Sequence, residues 1–471
     1  MISERLQRIK YLAGDFITAN LAWFCYNISR YQMGGVRGFG SLADFLSAKM
    51  VVLGQMLLPL AMMAVYWLSG YYNEVYRKSR LSELIVTFKT AFFNVLLAFF
   101  VALINDMTSD NRTYNYESVL ILFGLLFFLT YIVRVFITGR TSRNIKSRLW
   151  SFNTLVVGDG AAGYAFVERL NNMRWSLGYK VIGFVNIPGE NSVKDITLPT
   201  YKFNELADVC SRENVRQILV IPSKDDKGAV LETINHLYAL DIPISISTEH
   251  LGILGRTRIT ELSGEPLVDI STPNMGEGAK NVKRLFDVVA SILALIILVP
   301  VYVVVAILIK CESRGPVFYS QERLGKHNKP FKIYKFRTMY DGAEEKGQPQ
   351  LSSDNDPRIT PLGRIMRKFR IDELPQFWNV VKGDMSLVGP RPEREYYAKQ
   401  ILEREPAYSL IHQVRPGITS LGQVKFGYAK NVDEMLERLR YDLLYLDNMS
   451  IINDLKIIAY TIKIVIKGRG L

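Results

Sequence analysis

Four apolar stretches of bilayer-spanning length fill the first third of the chain, at residues 11–28, 45–68, 84–104 and 119–137. A helix needs about 20 apolar residues to cross the hydrocarbon core, and every backbone polar group inside it must be satisfied there. These stretches predict a four-helix transmembrane bundle over residues 1–150. The first is the most polar, because it contains Asp15 and Asn20. Asp15 lies near the end of its stretch and reads as an interfacial residue rather than a working intramembrane acid. No small-residue cleavage site follows that stretch, so it does not read as a removable leader. Basic flanks set the orientation: Arg5, Arg8 and Lys10 precede the first span, Arg77, Lys78 and Arg80 separate the second from the third, and Arg140, Arg143, Lys146 and Arg148 follow the fourth. Residues 105–117 hold only Arg112 among several acids. The positive-inside rule then puts both ends of the bundle in the cytoplasm, with Arg30 and Arg37 running against the pattern.

The chain has 471 residues, room for two to four domains. Its 58 Lys and Arg against 45 Asp and Glu give a net charge of +13. Such an excess suits an anionic partner; beside four apolar spans, that partner is a membrane surface or a phosphorylated substrate and not a nucleic acid. Cys25, Cys210 and Cys311 are far apart, with no CxxC pair, and offer neither a disulfide framework nor a zinc site. His236, His250, His327 and His412 are equally scattered and read as structural or exposed.

Composition turns mixed at residue 151. Thr154-Leu-Val-Val-Gly158 reads as a buried strand, and Gly158-Asp-Gly160-Ala-Ala-Gly163 opens a helix. Further strands are predicted at 181–185, 217–221 and 242–246, which makes residues 151–250 a Rossmann-like α/β domain. Its second strand ends in Asn186, where a dinucleotide site expects an acid for the ribose hydroxyls. The domain therefore reads as structural or regulatory, with no bound dinucleotide. Residues 251–279 hold too many Gly and Pro for one long element and read as a linker.

A third domain is predicted over 280–471. Residues 288–309 are almost wholly apolar, broken only by Ser291 and Pro300, with Lys283 and Arg284 before them and Lys310 and Arg314 after. This is either a fifth span or a helix kinked at Pro300 that enters and leaves on one face. Residues 314–338 alternate apolar with basic side chains and predict two short strands. Residues 339–357 read as a mobile polar loop, and residues 451–467 as a helix lying on the membrane or packed in the core.

Two adjacent carboxylates, Asp372 and Glu373, precede Pro375. Pro favours the first helical turn, so the spacing predicts a helix from about 376 with both acids at its positive end. Arg364, Arg367, Lys368 and Arg370 crowd the approach, and Gly389-Pro390-Arg391-Pro392 makes a stiff turn that can fix one arginine. An ionised carboxylate among arginines can attack a phosphate whose charge they offset.

Four motifs, FKIYKFRTM (331–339), RIDELPQFWN (370–379), MSLVGPRPE (385–393) and VRPGIT (414–419), together resemble the catalytic domain of the polyprenyl-phosphate hexose-1-phosphate transferases, also called monotopic phosphoglycosyl transferases or the bacterial sugar transferase family. The resemblance covers about residues 280–471, and the front half of the chain is similar to the family's large form. It implies that a nucleotide diphosphate sugar, with UDP as its nucleotide, delivers a sugar 1-phosphate to polyprenyl (undecaprenyl) phosphate. Asp372 would be the nucleophile, and Asp372 and Glu373 would hold Mg2+. Lys335, Arg337, Arg367 and Arg391 match motif positions and are the implied phosphate-binding residues. Nucleotide sugars are cytoplasmic, so the resemblance favours a re-entrant hairpin over 285–310 and a multi-pass protein of the bacterial inner membrane with a cytoplasmic catalytic domain. The family commonly has Ser-Pro at the break, where this chain has Val299-Pro300, and often carries a Trp after the RPGIT segment, where this chain has Gly422. A homodimer is compatible with this reading. Two rivals remain: a membrane-tethered NAD-dependent nucleotide-sugar dehydratase, which needs a Tyr-x-x-x-Lys pair that does not convincingly follow Gly158, and a non-catalytic scaffold of an export complex, which would have no use for the intact dyad.

Overall fold

The computed structural model describes residues 4–34, 36, 38–76, 78–103, 112–158, 160–186, 198–221, 233–234, 236–237, 240, 242–247, 258–259, 267–269, 275–343 and 356–468. The chain divides into two compact units: Met1–Ser151 with Arg174–Gly178 and Gly276–Val282, and the remainder. Arg37, Arg77, Asp159, Pro188, Gly189, His250 and most of the 251–279 segment lie outside the described residues.

The first unit is built on helices Glu4–Gln32, Lys49–Leu68, Arg80–Ala98 and Arg112–Lys146. Ala19, Ala22, Leu58, Met62, Ala91, Val95, Leu122 and Leu126 form one buried core drawn from all four, and its alanines let helices approach closely. Among the described residues, three single helices are long and apolar enough to cross a membrane: Lys49–Leu68, Arg80–Val101 and Tyr116–Lys146. Glu4–Gln32 does not meet that test, although its 29 residues would extend about 43 Å at 1.5 Å per residue.

The polarity of this first helix has a structural cause. Gln7, Tyr11, Asp15 and Thr18 recur at helical spacing and are all buried. Gln7 Nε2 donates to Thr141 Oγ1 at 2.6 Å, the Tyr11 and Thr138 hydroxyls meet at 2.8 Å, and those of Thr18 and Thr130 at 3.3 Å. Between them Arg134 donates Nε and Nη2 to the two Asp15 oxygens at 2.8 and 2.7 Å. Each step up one helix is a step down the other, as antiparallel packing requires. Asp15 is 1% exposed, a buried residue of the bundle rather than one that faces solvent. Arg134 supplies the forked, charge-matched partner that makes a buried carboxylate tolerable.

In the second unit a seven-stranded sheet has the order β3-β2-β1-β4-β5-β7-β6. Its strands are β1 (Phe152–Gly158), β2 (Tyr179–Val185), β3 (Thr200–Tyr201), β4 (Gln217–Ile221), β5 (Ile244–Ser247), β6 (Arg258–Ile259) and β7 (Leu267–Asp269). The first five pair in parallel; β7 and β6 add antiparallel. Part of the segment read as a linker is thus sheet edge, in strands of two and three residues, too short to leave a periodic signal. Gly158 sits at φ +146°, where a Cβ would stand 1.8 Å from Ile221 O. This glycine is needed for close strand approach whether or not a nucleotide binds.

The apolar stretch near residue 300 forms two helices, Glu277–Ile297 and Val299–Glu312, bent by 59°. The break falls at Leu298, two residues before Pro300, which occupies the first turn of the second helix. There its missing N–H costs nothing. Antiparallel strands β8 (Phe318–Leu324) and β9 (Pro330–Phe336) follow, as the alternation predicts. A short parallel pair, β10 (Ser386–Val388) and β11 (Gly417–Thr419), joins the two Pro-containing turns.

Candidate active site

The position of the dyad follows from local chain chemistry. Helix Pro361–Lys368 is capped by Thr360, whose side chain accepts from Gly363 N. Arg370 then turns left-handed at φ 54°, and Ile371–Glu373 makes a single 3-10 turn. The next helix, Gln376–Lys382, starts after Pro375. The acids therefore occupy a separate turn ahead of that helix rather than its first turn. The left-handed step at Arg370 separates the two elements. Both carboxylates are 7% exposed and line one cavity of about 500 Å³, within the range of small-molecule sites.

The two acids have different surroundings. Glu373 Oε1 accepts from Lys335 Nζ at 2.9 Å and lies 3.6 Å from Arg391 Nη1, while Oε2 is 3.1 Å from Arg370 Nε. Burial pushes this carboxyl up, but Arg370, Lys335 and Arg391 together hold it well below the usual range. Asp372 Oδ2 is 3.9 Å from Lys335 Nζ, and among the described residues the Asp372 carboxylate accepts no hydrogen bond. Burial pushes Asp372 up; Lys335 opposes this, the Glu373 charge adds to it, and the carboxyl ends above its ordinary value. Adjacent acids pushed apart in this way are suited to different roles. Glu373 is a fixed anion among cations, whereas Asp372 lines the cavity with a single long ion pair to Lys335 and no hydrogen bond among the described residues.

Lys335 and Arg391 reach the dyad. Arg367 lines the same cavity, with Nε donating to Thr338 Oγ1 at 2.9 Å. Arg337 also lines it, but its Nη2 donates to Ser313 O at 2.9 Å and Nη1 to Arg314 O. Those nitrogens close the C-terminus of helix Val299–Glu312. Of the remaining basic residues near the dyad, Arg370 joins the site, whereas Arg364 and Lys368 are not among its lining. Sequence reasoning named Tyr428 only as part of a sugar-side pocket and did not single out Arg323, Arg394 or Gln423; all four line the same cavity. Nothing in their local spacing marks them, because three separate segments bring them together. Residues 339–343 of the polar loop also line the cavity, and residues 344–355 lie outside the described residues. His412 is structural: its Nδ1 faces Gly325 O at 3.1 Å, and burial pushes it down to about 4.

The Arg391 turn depends on two glycines. A Cβ on Gly389 would stand 2.3 Å from Arg415 O, and one on Gly417 would stand 2.1 Å from Gly389 N. Helix Val432–Asp447 supports the turn from behind: Arg438 pairs with Glu393, and both Gly422 N and Arg391 N donate to Asp442, at 3.0 and 3.5 Å. Arg415 is taken up by Gly383 O at 2.8 Å, so the second basic turn supports the site without reaching the dyad.

Among the described residues no group of three or more His, Cys, Asp or Glu could hold a metal ion. Asp372 and Glu373 offer hard carboxylate oxygens of the kind Mg2+ takes alongside substrate phosphates and water; Asp341 lines the same cavity, and the Glu373 oxygens are engaged by Lys335 and Arg370.

The bacterial sugar transferase profile matches residues 278–468. The chain is 30% identical over 418 residues to a UDP-glucose:undecaprenyl-phosphate glucose-1-phosphate transferase from Klebsiella pneumoniae, covering 86% of this chain and 87% of that protein. It is 44% identical over 189 residues to a UDP-N-acetylgalactosamine-undecaprenyl-phosphate N-acetylgalactosaminephosphotransferase from Aeromonas hydrophila, covering 40% of this chain and 44% of that protein. It is also 42% identical over 186 residues to an exopolysaccharide production protein PSS from Rhizobium leguminosarum bv. phaseoli, covering 38% of this chain and 92% of that protein.

Proposed function

The chain belongs to the bacterial sugar transferase family, and from that membership we propose that it transfers a sugar 1-phosphate from a UDP-sugar to undecaprenyl phosphate at the cytoplasmic face of the inner membrane. This step initiates polysaccharide or glycoconjugate synthesis. The observation that carries the mechanism is the Asp372 carboxylate, which accepts no hydrogen bond among the described residues, beside Glu373, whose oxygens are taken by Lys335 and Arg370.

An Asp372 oxygen attacks the sugar-linked phosphorus, and the bond from that phosphorus to the bridging oxygen breaks. UMP leaves, and the phosphosugar stays on the carboxylate as a mixed anhydride. A phosphate oxygen of undecaprenyl phosphate then attacks the same phosphorus. The Asp372 oxygen leaves as a free carboxylate, and undecaprenyl diphosphate sugar forms. Lys335, Arg367 and Arg391 hold the diphosphate and offset charge on its oxygens, which is most of what phosphoryl transfer asks of a protein. Arg337 supports the same wall from the end of the hairpin. Glu373 keeps Lys335, Arg370 and Arg391 converged on the nucleophile. Mg2+, held by Asp372 and Glu373 with the substrate phosphates, would neutralise diphosphate charge.

The test is purified protein with UDP-glucose, UDP-N-acetylgalactosamine and further UDP-sugars, read as UMP release. With the lipid withheld, intact mass should show one phosphosugar adduct on the peptide that contains Asp372. Turnover with Asp372→Asn, or turnover through a ternary complex without any adduct, would refute the nucleophile.

A further inference from the structure

The membrane hairpin is tied to both sides of the reacting centre, one side by each of its helices. On helix Val299–Glu312 the Tyr302 hydroxyl donates to Leu374 O at 2.7 Å, one residue after Glu373. Its ring lies against Phe336, one residue after Lys335, with centroids 5.3 Å apart. On helix Glu277–Ile297 the Lys283 ammonium donates to Val388 O at 3.1 Å and to Asp454 Oδ2 at 2.7 Å, with Asp287 Oδ2 at 3.6 Å. Val388 ends β10, and the rigid Gly389-Pro390-Arg391 turn follows at once. Ser386 Oγ, on the same strand, donates to Asp287 Oδ2 at 2.5 Å. Arg284, next to Lys283, donates to Val380 O at 2.8 Å and to Met385 O at 3.2 Å. It thereby closes the helix that follows the dyad.

Lys283 is 9% exposed, in the charged N-terminal half of a helix whose C-terminal half is apolar. A buried ammonium is costly unless fully partnered, and membrane anchoring alone would be served better by an aliphatic residue. A positioning role accounts for it.

We propose that the hairpin is the positioning element of the active site: Tyr302 holds the turn that carries Asp372 and Glu373, and Lys283 holds the strand that delivers Arg391. The two helices meet at the 59° bend, so the geometry of the bend sets the spacing between Arg391 and the carboxylates, now 3.6 Å from Nη1 to Glu373 Oε1. Tyr302 and Lys283 are positioning residues that act on the donor phosphate through their neighbours. This proposal rests on the sugar-phosphate transfer reading above.

The full chain is assayed in lipid nanodiscs as wild type, Tyr302→Phe, Lys283→Met and Lys283→Arg. Tyr302→Phe removes one hydroxyl and keeps the ring on Phe336, so folding is not at stake. Misplacement of a reacting group by a fraction of an ångström should lower kcat about tenfold while KM for the UDP-sugar moves less than about twofold. Lys283→Met should lose at least as much, and Lys283→Arg should recover most of it. The thermal midpoint of Tyr302→Phe should equal that of wild type. Wild-type kcat in both Tyr302→Phe and Lys283→Met overturns the proposal, as does a loss confined to KM or one that follows the thermal midpoint. A wild type that releases no UMP from any UDP-sugar removes the transfer reading and the proposal together. Active wild type with unimpaired variants removes the proposal alone.

Discussion

Asp372 has to be ionised to attack, yet burial and the neighbouring Glu373 charge raise its pKa. Activity that depends on the carboxylate is present above that pKa and is lost as pH falls through it. The acid limb of kcat/KM should therefore lie above the value of about 3.9 for a free aspartate. Lys335 is the largest influence opposing the rise, so Lys335→Met should move the limb to still higher pH as well as lowering the plateau; a limb that stays put would mean another group titrates. Glu373→Gln should act differently. It removes the anion that gathers Lys335, Arg370 and Arg391, and should cost at least about a hundredfold in kcat with no upward movement of the limb. The dyad and Lys335 were legible because their motifs are contiguous. Arg337 was legible as a basic residue near the site. Its use as a cap on Ser313 and Arg314 was not, because that depends on where a helix 24 residues away ends.

At the scale of elements, one antiparallel helix pair shows the limit of reading spans by hydropathy. Composition excludes Glu4–Gln32 from the apolar helices, yet its Gln7, Tyr11, Asp15 and Thr18 are buried against Thr141, Thr138, Arg134 and Thr130. A single arginine inside an apolar run shows no partner in the sequence, and Asp15 lies 119 residues away. Periodicity could find the helices but not the register that pairs them. Arg134→Leu should leave Asp15 buried without its cation, with only the Tyr72 hydroxyl still donating to it among the described residues, costing about 3–5 kcal/mol of stability, and Asp15→Leu with Arg134→Leu should restore most of it. Thermal unfolding in detergent measures both; equal losses in the single and double variants would show that the pair is not coupled. The hairpin carries a second prediction. Gly315 is a poor labelling site, since its φ is +120° and a Cβ would stand 1.9 Å from Arg337 Nη1. Native Cys311 is exposed, and Gly276 has open space around it. An impermeant maleimide added outside cells should label neither Cys311 nor Gly276→Cys, read peptide by peptide. Labelling of Cys311 alone would make the pair a crossing span.

At the scale of the whole molecule, the remaining question is what the chemistry requires of the chain. The dyad, its cations and the hairpin ties described above all belong to residues 283–454. The Rossmann-like sheet has its own cores, with Leu155, Val157, Ile218, Val220, Ile244 and Ile246 at the centre of one. Strands β1, β2, β4 and β5 were legible from alternating strands and helices, whereas the two-residue β3 was not; Asn186 stands just after β2, where a ribose would call for an acid. Gly158 is explained by its approach to Ile221, which removes one reason to invoke a nucleotide. The relative of which 92% aligns with 38% of this chain has little room for such a domain. A chain of residues 276–471, purified in detergent, should therefore still release UMP from a UDP-sugar and form the Asp372 adduct, within about tenfold of the full chain in kcat. In the full chain, Gly160→Val should leave turnover unchanged, and calorimetry should detect no NAD binding to the wild type. Tight NAD binding abolished by Gly160→Val, or a well-folded 276–471 fragment unable to form the adduct, would make the middle domain part of the enzyme's working machinery.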